Sequence, residues 1–178
     1  MAEGREVELL SVALDFQGSD VVKPYVQEAN TSFSTVVDSE NVLGRVCGFK
    51  AVPNGYFLEP GLKVSQSIKG KFDIRNPEIL RRTIEWIGSP TVTNSEPYNV
   101  VDEKMTPDVE RLFESGLKLY REGNEQEGIT EWQKLIAVDP NNYIVRKQVW
   151  AIMYPDKFYD GEVDFEWQRR QMKYESSA

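Results

Sequence analysis

Residues 7–16, VELLSVALDF, form a nearly continuous apolar run, the pattern of a strand covered on both faces. Asp15 to Asp20 read as the loop that closes it. In SDVVKPYVQEAN (19–30) the apolar positions Val21, Val22, Tyr25, Val26 and Ala29 share one helical face. Ser19 or Asp20 is the expected N-cap, with Pro24 in the first turn, where proline is tolerated. FSTVVD (33–38) predicts a short strand and SENVLGRVCGF (39–49) a short capped helix stopped at Gly48. NGYFLEPGLKVSQSIKGKFD (54–73) reads as two strands joined at Glu59-Pro60-Gly61-Leu62, a hairpin with Pro-Gly at its tip. NPEILRRTIEWIG (76–88) is a helix capped by Asn76, opened by Pro77 and ended at Gly88.

The character then changes. Residues 89–107 contain three prolines and no apolar period, which predicts a linker. Three helices are expected beyond it: 106–123, opened by Thr106-Pro107 and closed at Gly123; 124–140, closed at Asp139-Pro140; and 141–155. Charge shifts at the same place, from net −2 over residues 1–90 (10 basic, 12 acidic) to net −6 over 91–178 (11 basic, 17 acidic), so two modules are expected. Their boundaries are 1–88, a linker 89–107, a helical module 108–155 and an aromatic, alternately charged tail 156–178. The tail is expected to pack along the first module or a partner.

Composition narrows the chemistry. With 178 residues, 40% hydrophobic and 28% charged, the chain has the composition of a soluble globular protein able to build a core. A net charge of −8 and no basic run beyond Arg81-Arg82 or Arg169-Arg170 argue against nucleic acid as a partner. No apolar run approaches a membrane span, and MAEGREVELL lacks the features of a signal peptide. The chain as written is therefore expected in the cytoplasm, whereas a longer precursor could be extracytoplasmic or membrane-anchored.

Histidine is absent and Cys47 is the single cysteine, so Ser-His-Asp, Cys-His, C-x-x-C and Cys/His zinc chemistry are excluded within these residues. Cys47 reads as a buried, inert side chain. Glu125, Glu127, Glu131 and Asp139 could in principle hold a metal or small molecule, but on exposed helix faces they read as solvating residues. No catalytic residue, metal site or cofactor is expected.

The densest local pattern is GFKAVPNGYFLEPG (48–61). Pro53 precedes the apolar run Tyr56-Phe57-Leu58, which makes it a strand-entry residue. Its X-Pro bond is a candidate for the cis form.

Two resemblances follow. SGLKLYREGNEQEGITEWQKLIAVDPNN (115–142) resembles a single tetratricopeptide repeat, through Gly116, Tyr120, Gly123, Gly128, Trp132 and the closing Asp139-Pro140-Asn141-Asn142. The resemblance implies a helical hairpin in which Gly116, Tyr120, Gly128, Trp132, Leu135 and Pro140 shape the packing, with the third helix as a cap. Residues 5–88 resemble the back part of a thioredoxin fold of the redoxin or TlpA/ResA type. The carrying motif is GFKAVPNGYFLEPG, similar to the family pattern Gly-Val-x-x-Val-Pro-Thr-x-Phe-Leu-Ile-Asp-x-x-Gly, with Asn54 where Thr is common. This implies an α/β, thioredoxin-like fold, N-terminally incomplete, followed by a C-terminal helical tetratricopeptide-like hairpin. It also implies a cis Pro53 and a substrate-binding loop of Val52, Pro53 and Asn54. In the family a strand and a W-C-x-x-C helix precede the VELLSVALDF strand, and neither is among these residues.

The expected function is that of a non-catalytic interaction protein derived from redoxin-type thiol-disulfide oxidoreductases. It would engage a protein partner, or a second copy, through the sheet edge left open by the missing strand. The alternative is a thiol-disulfide oxidoreductase or peroxidase whose C-x-x-C segment lies outside this chain.

Overall fold

The computed structural model describes residues 6–89 and 105–177. It is a mixed α/β protein in which, among the described residues, seven α-helices accompany two separate two-stranded sheets. Most of the expected linker, residues 90–104, lies outside the described residues.

The first sheet is parallel. Strand β1 (Leu10–Ala13) pairs with β2 (Ser34–Val37), Leu10 opposite Ser34 and Ala13 opposite Val37. Helix α1 (Ser19–Ala29) connects them. The expected strand over 7–16 is thus reduced to four residues. Its C-terminal end is cut short at Asp15, whose carbonyl accepts from Gly18 N at 3.1 Å and whose carboxylate accepts from Gln17 N at 3.0 Å. The run is not covered on both faces either: Leu9 is 59%, Leu10 56% and Val12 37% exposed.

Helix α1 corrects two further expectations. Ser19 and Asp20 are already helical, and the N-cap is Gly18 at φ 90°, with no side-chain cap bond. Pro24 consequently sits in the second turn, not the first. The carbonyl of Asp20 loses its i+4 donor there, but both residues are exposed and water can serve.

Helix α2 (Val42–Cys47) ends at Gly48, φ 73°, as the pattern indicates. Its first amides, Val42 N and Leu43 N, donate to the Asp38 carboxylate at 2.8 and 2.9 Å. The hairpin β3 (Gly55–Glu59) and β4 (Lys63–Ile68) is antiparallel, with positive φ at Gly61 (82°) and Leu62 (60°) in its turn. Helix α3 (Pro77–Gly88) starts as expected, Asn76 Oδ1 accepting from Glu78 N at 2.9 Å. Gly88, read as the stop, is the last helical residue; Ser89 ends the helix, its hydroxyl donating to Trp86 O at 2.8 Å. Between hairpin and helix lies a small core of Phe57, Ile68 and Ile79, flanked by Phe72 and Trp86.

The second half is helical: α4 (Pro107–Arg121), α5 (Glu125–Val138), α6 (Tyr143–Met153), a 3₁₀ turn (Pro155–Lys157) and α7 (Phe165–Ser177). Thr106 caps α4 and Asn142 caps α6, so the third helix is shorter than the expected 141–155. The main core joins Val109, Leu112, Phe113 and Leu117 of α4, Ile129, Trp132 and Leu135 of α5, and Ile144, Val145 and Val149 of α6. Phe16, from beyond β1, belongs to the same core, its ring 5.6 Å from Phe113 and 5.1 Å from Trp132.

The tail packs mainly on α6 and secondarily on the first half. Trp167 packs edge-to-face against Trp150 (5.6 Å) and at a tilt against Tyr154 (5.0 Å). Glu175 accepts from Arg146 at 2.8 Å and from Trp150 Nε1 at 2.6 Å. Tyr159 reaches Asp15, its hydroxyl donating at 2.7 Å.

Candidate interaction site

Strand β1 has two backbone edges. Asp38 N donates to Ala13 O at 2.7 Å, so Ala13 directs its backbone groups toward β2. Successive residues of a strand alternate in this respect, so Ser11 does the same, while Leu10 and Val12 present N–H and C=O to the opposite edge. On that edge no strand is paired among the described residues, because β3 and β4 form their own sheet.

Among the described residues the edge is occupied only at its end. Gln148 of α6 donates from Nε2 to Leu14 O at 3.1 Å and accepts at Oε1 from Phe16 N at 2.7 Å. Those are the two bonds that one residue of a neighbouring parallel strand would make, to the carbonyl of one residue and the amide two positions on. The side chains follow the same division. Phe16 is buried in the helical core and Leu14 packs against it, whereas Val12 and Leu10, further along the chain's same alternation, are exposed. Leu9 extends the apolar surface to the other face, and Val36 of β2 is exposed as well.

Beside the edge's end lies a buried polar cluster. Asp15 accepts from Tyr159 and from Gln17 N, and Gln17 Nε2 donates to the Tyr159 hydroxyl at 2.8 Å. Burial pushes the Asp15 carboxyl above its ordinary value against the lowering effect of these donors. Burial, together with Asp15, also raises the Tyr159 phenol well above its usual range. Both groups therefore serve to hold the tail against the end of β1.

The loop residues singled out by sequence are distributed unevenly. The Val52–Pro53 peptide is cis. Val52 is exposed, but Asn54 is committed to the loop itself: Nδ2 donates to Ala51 O at 2.7 Å and Oδ1 accepts from Gly70 N at 2.8 Å. Pro53 O accepts from Phe72 N at 3.3 Å.

The helical-hairpin residues do come together. A Cβ on Gly116 would lie 2.5 Å from Trp132 Nε1, and one on Gly128 2.9 Å from Gly116 O. Trp132, fully buried, donates to Phe113 O at 3.2 Å and lies 5.5 Å from the Tyr120 ring. Leu135 is fully buried, and Pro140 O accepts from Arg146 Nη2 at 2.9 Å.

Cys47 is half-buried, with its thiol pushed up by burial. The carboxylates considered for metal binding do not converge: Glu131 pairs with Lys134 and Asp139 with Lys50. Among the described residues no group of three His, Cys, Asp or Glu side chains could hold a metal ion, and no helix is long and apolar enough to cross a membrane.

Sequence reasoning missed Gln148 and Tyr159, because the role of each depends on a partner more than 130 positions away. Only the apolar character of 7–16 pointed toward this edge. Compared with known proteins, the chain matches no family model, no curated protein and no solved structure.

Proposed function

We propose that the chain is a non-catalytic interaction protein, built from a thioredoxin-like module and a tetratricopeptide-like helical hairpin, and that it associates with a protein through the open sheet edge. The observation that carries this reading is the edge of β1 that no strand pairs among the described residues, flanked by the exposed apolar residues Leu9, Leu10 and Val12. Exposed strand edges of this kind are templates for further pairing. The close approach of Gly116 and Gly128 to the opposing helix supports the hairpin part of the reading.

The test combines light scattering with an insulin-disulfide reduction assay. The full chain should associate, with itself or with an added extended polypeptide, and should turn over no disulfide. A monodisperse monomer that binds no polypeptide would refute the association, and disulfide turnover retained by Cys47→Ser would refute the non-catalytic assignment.

A further inference from the structure

The open edge of β1 has a defined register and a stop, and these specify what can occupy it. Resting on the interaction reading above, we infer that the site binds a short extended polypeptide segment, apolar on both faces and flanked by a basic residue, which adds to β1 at Leu10 and Val12 and ends where Gln148 begins.

Four features carry this. The outward backbone groups of Leu10 and Val12 offer donors and acceptors in alternation, which a backbone can match and a compact side chain cannot. Gln148 already supplies amide bonds to Leu14 O and Phe16 N, so the same edge accepts a peptide-like group, and further pairing in that direction is blocked. Apolar side chains are exposed on both sides of the strand, Leu9 on one and Leu10 and Val12 on the other, so a bound segment gains by being apolar on both of its own faces. Glu6 and Glu8, exposed just before β1, favour a basic flank on the segment at that end.

A second copy of β1 is a poorer occupant. In a two-fold antiparallel arrangement Leu10 faces the copy's Val12, and the next pair would set Glu8 against Leu14, whose carbonyl Gln148 occupies. In that register only the Leu10 and Val12 pairs form, with the acidic ends of both copies left nearby.

The test uses the full chain and a fluorescein-labelled nine-residue peptide, five alternating Val and Ile residues flanked by lysines, with a version N-methylated at its centre as control. Fluorescence polarisation should show saturable binding of the first peptide and at least tenfold weaker binding of the second. Hydrogen exchange should show the amides of Leu10 and Val12 slowed on binding. Val12→Pro removes an amide that points away from β2, so it should preserve the β1–β2 ladder while weakening binding at least tenfold. Far-ultraviolet circular dichroism and the melting profile confirm that this variant is folded, and Val12→Lys provides a second block that keeps the amide.

Saturable binding insensitive to both variants would overturn the edge assignment while leaving a polypeptide-binding function standing. Absence of binding would overturn the proposal. Slowing of the same amides on raising protein concentration without peptide would replace the foreign segment by a second copy, and overturn it as well.

Discussion

Trp132 is the residue on which the helical half depends most. It is fully buried, it fills the groove left by Gly116, and it touches Phe16 from the other half of the chain. Trp132→Ala should therefore destabilise the protein by about 3–5 kcal/mol in urea unfolding, the usual cost of emptying an aromatic core site. Gly116→Ala should cost about 1–3 kcal/mol for the opposite reason, since the added methyl collides with the indole. Asp15 supplies a test by pH. Burial raises its folded-state pKa above the ordinary 3.8, so the folded protein binds a proton there more tightly than the unfolded chain. Its contribution is then most favourable below about pH 3.8 and is lost as pH rises through the folded pKa. In parallel urea titrations, the stability of the wild type relative to Asp15→Asn should fall as pH rises from 3.8 through the raised folded-state pKa and level off beyond it.

The elements differ in how completely they are partnered. Helices α4, α5 and α6 each bury a full apolar stripe, while α1 buries no residue fully and β1 has a strand on one edge only among the described residues. Gln148 stands at the junction of these two regimes. Gln148→Ala would strip Leu14 O and Phe16 N of their partners and should destabilise the fold by about 1–3 kcal/mol. In hydrogen exchange the Phe16 amide should become faster, whereas that of Asp38, bonded to Ala13 on the inner edge, should change little. Most helix limits were legible from local signals: Asn76 and Thr106 as caps, Pro77 and Pro107 at first positions, Gly48 as a stop. The start of α1 was not, because Gly18, free to adopt φ 90°, displaced the Ser19 and Asp20 candidates from the cap.

At the scale of the whole molecule, the two halves are joined by Phe16 in the helical core, by Ile144 N donating to Lys50 O at 3.0 Å, and by ion pairs of Arg45 with Glu110 and Glu114. Among the described residues the core of the hairpin and α3 holds only Phe57, Ile68 and Ile79 as buried apolar residues, too few to expect independent stability. Phe16→Ala should cost about 3–5 kcal/mol and, by loosening that connection, let the hairpin and α3 unfold at a lower temperature than the helical half, so that the calorimetric profile is no longer one transition. A single transition retained in the variant would show that the remaining contacts suffice to couple the halves.

The sequence by itself determined those features whose cause is local. Apolar spacing placed the helices, Pro-Gly placed the hairpin turn, and Gly116, Gly128 and Trp132 marked a tight helix pair, because each depends on neighbours within a few turns of the chain. The apolar run at residues 7–16 announced a strand that wants cover on both faces, but not whether it receives it. That was decided by tertiary structure: β3 pairs with β4 and not with β1, Gln148 closes one end of the β1 edge, and Tyr159 pins Asp15 beside it. Hydrogen bonds across more than 130 residues leave no periodicity in a sequence, since one polar side chain at the right place in space satisfies them whatever surrounds it in the chain.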